Sequence, residues 1–216
     1  AEWSGDINLG ADLKTGNSDN NGITADASAK ARWDKHRAKI EADYNREEDN
    51  NQITVDNRSL DLTHDYFFAD KWFWESAIGF EQDDIDRLDL RTIVNAGLGY
   101  QPYESDNLNL KFVLGPGYLH EKFENSGTDE SLVVTWAMDY DQKFYGDAFR
   151  LFHNHDLNVP SDDTDAYLFQ SESGIKLPIR SGIVASGQID FDWDNNPAPG
   201  TVEDDTTYAV KLGYEW

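Results

Sequence analysis

Apolar and polar residues alternate one for one along almost the whole chain. Trp3, Gly5, Ile7, Leu9, Ala11 and Leu13 share one parity; Ser4, Asp6, Asn8, Gly10, Asp12 and Lys14 share the other. Successive side chains of an extended backbone point to opposite faces, so this segment reads as a strand with one apolar and one polar side. Ile23, Ala25, Ala27, Ala29, Ala31 and Trp33 repeat the pattern, as do Ala38, Ile40, Ala42 and Tyr44. The same rhythm runs through Leu60–Tyr66, Trp72–Phe80, Leu88–Tyr100 (with Leu88 and Leu90 on the apolar side), Leu108–Leu114 and Leu132–Tyr140. It continues through Phe149–His153, Tyr167–Leu177, Ile183–Trp193 and Tyr208–Trp216. The pattern predicts about twelve strands of roughly ten to fourteen residues. Nothing of similar length has helical spacing and no linker interrupts the series, so residues 1–216 read as one all-β domain.

The connections alternate too. Short turns are expected around Asp34–His36, Ala69–Lys71, Gln101–Asp106, Gln142–Gly146 and Pro178–Ser181. Long polar loops are expected over Thr15–Gly22, Arg46–Gln52, Glu81–Arg87, Glu121–Glu130, Leu157–Asp165 and Asp194–Asp205. One end of an up-and-down meander therefore carries the turns and both termini, and the other carries loops rich in Asp and Glu. Pro102, Pro160, Pro178, Pro197 and Pro199 fall in these connections, as a ladder that needs backbone N–H groups requires. Pro116 falls inside a strand and predicts a bulge there.

Such a meander closes either as a soluble, lipocalin-like ligand-binding barrel with the apolar face inward or as a membrane barrel with that face outward. The aromatic residues favour the second. Trp3, Trp33, Tyr66, Trp72, Trp74, Tyr100, Tyr140, Tyr214 and Trp216 lie near the short-turn end of the apolar face. Tyr44, Phe80, Tyr118, Tyr167, Phe191, Trp193 and Tyr208 lie near the loop end, with aliphatic residues between the two groups. Two aromatic girdles flanking an aliphatic band suit a bilayer, and the strand length suits a tilted crossing. The polar face then lines a lumen, with Asp6, Asp26, Lys30, Arg32, Lys39, Glu41, Asp43, Arg91, Lys111, Arg150, Lys176 and Asp190 pointing inward. Arg32 and Lys39, on neighbouring strands near a short turn, are expected to help set an electrostatic constriction with adjacent carboxylates.

Composition narrows the function. The formal net charge of -24 repels phosphate backbones, which sets nucleic-acid binding aside. Seven Trp, ten Tyr and eleven Phe argue against disorder. The absence of cysteine removes disulfides and a thiol nucleophile. A mean hydropathy of -0.71 is compatible with a barrel whose strands are polar on one face.

Few residues suggest chemistry. His153 and His155 share a strand face about 7 Å apart and are weak candidates for a metal. A lipid hydrolase built on them needs a serine, and none flanks them at the required spacing. Asp190-x-Asp192-x-Asp194 begins like a calcium loop but has Asn195 and Thr201 where glycine and glutamate belong. The glycines of Gly97-x-Gly99 and Gly115-Pro116-Gly117 lead into no helix, so they are no phosphate cradle. No catalytic residue and no cofactor is expected. The acidic loops offer carboxylates to divalent cations bridging to anionic lipid.

Four stretches carry a family resemblance: Lys14–Asp19, Asn95–Tyr100, Leu114–Tyr118 and Asn195–Gly200. With the strand count they resemble the YdiY-like family of salt-induced outer-membrane proteins, whose domain has no known function. The resemblance implies an outer-membrane barrel of a Gram-negative bacterium and implies no reaction. The ending Tyr214-Glu215-Trp216 resembles the aromatic signal read by the barrel-assembly machinery. The expected partners are outer-membrane lipid and lipopolysaccharide, and the expected state is a monomer. The expected function is a non-enzymatic narrow pore for small solutes or ions, linked to salt or envelope stress. A closed structural barrel with cation-binding outer loops is the alternative.

Overall fold

Each alternating segment becomes a strand, and each strand pairs with the next. The computed structural model describes residues 1–12, 20–49, 52–85, 87–124, 127–195 and 203–216. Among them are twelve strands: β1 (Glu2–Asp12), β2 (Asn20–Trp33), β3 (His36–Asp49), β4 (Gln52–Phe67), β5 (Trp72–Asp83) and β6 (Leu88–Glu104), then β7 (Leu108–Phe123), β8 (Gly127–Phe144), β9 (Phe149–Pro160), β10 (Leu168–Arg180), β11 (Ile183–Asp194) and β12 (Asp204–Glu215). All pairings are antiparallel, and β1 pairs with β12 to close the barrel. Trp216 and Gly5 finish that seam with two backbone bonds of 3.0 and 3.1 Å. Closure leaves no sheet edge, which is the condition for a β structure to cross hydrocarbon. The Lys14–Asp19 stretch and residues 196–202 lie outside the described residues.

The apolar faces point outward. Trp3, Trp74, Tyr214 and Trp216 are more than half exposed at the short-turn end, Tyr208 at the other, and Leu9, Leu132, Val210 and Leu212 between them. A water-soluble barrel has no way to satisfy so large a continuous apolar surface. The lipocalin-like alternative therefore fails, and the fold is a transmembrane barrel.

Several local expectations are corrected. The strands reach further toward the acidic end than the polarity pattern suggests. Arg46–Gln52 is mostly ladder, with β3 running to Asp49 and β4 starting at Gln52. Glu121–Glu130 is likewise the tip of the β7–β8 hairpin. Beyond the hydrocarbon, a strand has no reason to keep an apolar face, so it loses the alternation while keeping its hydrogen bonds. Leu88 is another correction. A register shift between Leu88 and Leu90 turns it inward, where it is buried. Pro102 and Pro178 lie within β6 and β10, each at a register shift, and Pro160 ends β9.

Pro116 makes no bulge. The β6–β7 ladder pairs Asn95 with Gly117 and Leu98 with Leu114, and skips the positions between without changing register. The proline lacks a donor, so the ladder loses bonds there. Gly115 lets the strands close up instead, because a Cβ on it would collide with the Ala96 carbonyl oxygen.

The lumen holds an apolar nucleus that the alternation does not announce. Phe67, Phe73 and Val113 are buried on the inner wall, with Ala137 against them. The Phe67 and Phe73 rings are 5.0 Å apart. Phe73 lies flat on the wall because Gly99 has no side chain; a Cβ there would fall on its ring. Gly99→Leu should therefore expel Phe73 and destabilise the barrel by about 1–3 kcal/mol, the usual range for overpacking. A urea titration of the barrel in detergent checks this, and an unshifted midpoint would mean that Phe73 is free to move.

Candidate functional site: the barrel interior

Strand parity positions the inward side chains. Asp6, Asp26, Lys30, Arg32, Lys39, Glu41, Asp43, Lys111, Arg150 and Lys176 border a cavity of about 1820 Å³. Its rim is at the short-turn end, beside Ser105, Asp106, Ser181 and Gly182, and it reaches mid-barrel at Asn8, Asn154 and Gln188. Arg91 lies closer to the acidic end, held between Glu81 (2.8 Å) and Glu121 (2.7 Å). Asp190 faces inward and accepts two 3.0 Å contacts from the Gln188 amide.

The β2–β3 ladder sets up a charge gradient. Opposite one another stand Arg32 and Arg37, then Lys30 and Lys39, then Ser28 and Glu41, then Asp26 and Asp43. Like charges directly across a ladder repel, so each end needs compensation from elsewhere. At the mouth it comes mainly from β4 and β6. Arg37 Nε and Nη2 lie 2.7 and 2.6 Å from Asp65 Oδ2, and its Nη1 donates to Gln101 Oε1 at 2.7 Å. Glu104 lies 3.3 Å from Arg32 and 3.5 Å from Arg37. The Arg32 guanidinium also sits 4.2 Å from the centre of the Phe67 ring. Arg32 and Lys39 each stand beside a carboxylate: Arg32 shares Glu104 with Arg37, and Lys39 binds Glu41 at 2.6 Å. Arg37 shares the parity of Lys39, and that signal could have found it.

Other cations near the mouth are also engaged. Lys111 lies 3.0 Å from both Glu75 and Asp139. Arg150 and Lys176 share Glu215 at 2.7 and 3.3 Å. In the β8–β9 turn Arg150 also forks onto Asp147 at 2.8 and 3.1 Å, and these bonds hold the Asp147 carboxyl below the usual carboxylate range.

At mid-barrel the balance changes sign. Asn8 donates to both Asp6 and Asp26 at 2.6 Å, and Lys211 meets Asp26 at 2.6 Å. Asp43 accepts from Ser59 at 3.2 Å. With Glu41, Asp61, Glu172 and Asp190 these make a carboxylate-rich zone drawn from β1, β2, β3, β4, β10 and β11. Beyond it the inward residues Thr24, Glu47, Leu88, Leu119, Val133, Thr135 and Asn158 are buried. The Thr135 hydroxyl lies 2.9 Å from Asn95 Oδ1 and 2.7 Å from Asn158 Oδ1.

On the lipid side, the histidines do meet a serine. Ser173 comes from the neighbouring strand, paired with His153 in the β9–β10 ladder. Its Oγ is 2.7 Å from His153 Nδ1, and His153 Nε2 is 2.9 Å from His155 Nδ1. Spacing along one strand could not reveal this. The chain of bonds nevertheless runs the wrong way for hydrolysis. Trp136 Nε1–H, which can only donate, lies 3.0 Å from His155 Nε2. His155 then carries its proton on Nδ1 and gives a bond to His153 Nε2. His153 in turn carries its proton on Nδ1 and donates to Ser173. A general base must accept the serine proton at that atom. The same bonds occupy the ring nitrogens that a metal would need, and Asp156 lies on the opposite strand parity. Asp190, Asp192 and Asp194 alternate with Phe191 and Trp193 along β11, which is a strand and not a calcium loop.

The family model described as "Protein of unknown function, DUF481" matches residues 7–216. The chain belongs to this family. No curated protein sequence matches it. Among solved structures, it is similar to the NanC porin at a TM-score of 0.57 and 10% identity, covering 96% of this chain and 97% of that one. An outer-membrane channel from Pseudomonas putida F1 gives 0.56 and 9%, covering 99% and 95%. The translocator domain of the autotransporter NalP from Neisseria meningitidis gives 0.52 and 12%, covering 99% and 87%. At such identities the likeness is one of fold, and the fold is that of the outer-membrane barrels. Two of the resemblance-bearing stretches of this DUF481 chain, Asn95–Tyr100 and Leu114–Tyr118, face one another across the β6–β7 seam. Their glycines there make room for Phe73 and for the close approach at Pro116.

Proposed function

We propose that this barrel is a narrow, non-enzymatic pore of the Gram-negative outer membrane, passing small hydrophilic solutes or ions. The observation that carries the reading is the charged cavity of about 1820 Å³, which runs from the short-turn mouth to mid-barrel. Kinship of fold with a porin and with an outer-membrane channel supports it. The finer reading, a YdiY-like protein serving under salt or envelope stress, rests on the family resemblance and on the acidic hairpin tips, whose carboxylates suit divalent cations. Single-channel recording in planar bilayers is the test. Discrete steps that scale with salt are expected; a reconstituted barrel without steps from low to molar salt would remove the pore.

A closed structural barrel is the second reading, favoured by the buried inward residues on the acidic side of the carboxylate zone. It forecasts no steps, together with a deletion strain that leaks detergent or fails in high salt.

A further inference from the structure

We infer that the outer surface of β3–β7, at the acidic end, binds the phosphate groups of lipopolysaccharide. This inference does not depend on whether the lumen conducts. Short turns and termini occupy the periplasmic end of such barrels, so the acidic end meets the outer leaflet. Around that end, outward cations are unevenly placed. Arg46 on β3, Arg58 on β4 and Lys122 on β7 point away from the lumen, with side chains 43%, 50% and 59% exposed. Among the described residues, the outward positions of β8–β12, β1 and β2 at that end carry no Lys or Arg.

The three cations are held in one outward polar belt. Arg46 Nη1 lies 2.9 Å from Asp56. Arg58 Nε donates to Gln82 at 2.9 Å, and Gln82 donates to the Asp89 carbonyl at 2.7 Å. Lys122 closes the belt on the Asp89 carboxylate at 2.7 Å. Arg46 and Arg58 flank Tyr44, and Lys122 lies four residues beyond Tyr118, which puts the belt at and just past the aromatic row. That is the depth of lipid headgroups. Arg58 also lies 3.8 Å from Asp84, and these partners fix the cations without saturating them. Each guanidinium has five N–H donors and the ammonium three, so several remain for an anion on the exposed side. A protein of net charge -24 has little reason to confine its outward cations at that end to one flank, unless the neighbouring leaflet offers them further anions. The occupant is therefore a phosphorylated glycolipid, docked from the bilayer side.

The test uses the whole barrel in mild detergent and measures the shift in its heat-induced unfolding. Bisphosphorylated lipid A should raise the unfolding temperature, and dephosphorylated lipid A should do so far less. Arg46→Gln, Arg58→Gln and Lys122→Gln together should weaken the phosphorylated lipid's effect by roughly 100-fold in apparent affinity, given the attraction of each cation near an anionic surface. Lys35→Gln with Lys71→Gln, at the opposite end, should leave it unchanged. Gel mobility of unheated samples reports folding, and single Arg58→Gln with an intermediate loss serves if the triple variant fails to fold. Equal shifts with both lipid A forms, equal shifts in wild type and variants, or an equal response to phosphatidylglycerol would each overturn the inference.

Discussion

Replacing Arg37 with alanine should cost the folded barrel about 3–5 kcal/mol, because it strands a buried carboxylate. Asp65 is 1% exposed and Arg37 8%. In the intact protein the guanidinium meets Asp65 through two nitrogens, Gln101 through a third contact, and the Phe67 and Phe73 rings through its face. Asp65 is almost fully covered although it borders the cavity, so its carboxylate is left poorly hydrated when its partner is lost, and truncation costs more than the pair itself is worth. Arg37→Ala with Asp65→Asn should therefore be more stable than Arg37→Ala alone, even though it lacks both charges. Denaturant titration in detergent, followed by tryptophan fluorescence, gives all three values. If Arg37→Ala costs under about 1 kcal/mol, the pair is behaving as a solvated surface bridge, and the dry inner network is wrong.

The alternation made the strands, their number and the outward face legible because a bilayer enforces it residue by residue. Its reach ended where that pressure ended. Toward the hairpin tips, Glu48, Asp129 and Glu130 stay in hydrogen-bonded hairpins yet read as loops, since water accepts either face. A single register shift sufficed to turn Leu88 inward. Parity with Trp72 and Trp74 puts Phe73 on the lumen face, but a lumen read as polar throughout gave no sign that Phe67, Phe73 and Val113 would bury one another there. The interior was legible in kind and not in pairing. Parity assigns Arg32, Lys39, Asp26 and Asp43 to one face, but which carboxylate meets which cation depends on strands far apart in sequence, as with Lys211 and Asp26. Ser173 and His153 were hidden for the same reason.

Neutralising the mid-barrel carboxylates should reverse or abolish the ion preference of the pore. The mouth offers paired cations: Arg32 and Arg37 with Glu104, Arg150 and Lys176 with Glu215. A permeating ion meets little net field there. At mid-depth Asp6, Asp26, Glu41, Asp43, Asp61, Glu172 and Asp190 face mainly Lys211 and Lys39. Walls of low dielectric focus that excess charge into the water between them. This carboxylate-lined stretch should therefore admit cations over anions, and the reversal potential under a salt gradient should lie on the cation side. Asp26→Asn, Asp43→Asn and Glu172→Gln, combined, remove three negative charges while keeping side-chain size and the Asn8 and Ser59 contacts within reach. Lys211 is then left with the remaining carboxylates, and the preference should shift toward anions by several-fold, as potentials of a few kT allow. Asp34→Asn with Asp106→Asn, at the rim, should leave selectivity alone. A triple variant that conducts with the wild-type reversal potential would place the selective zone elsewhere along the lumen.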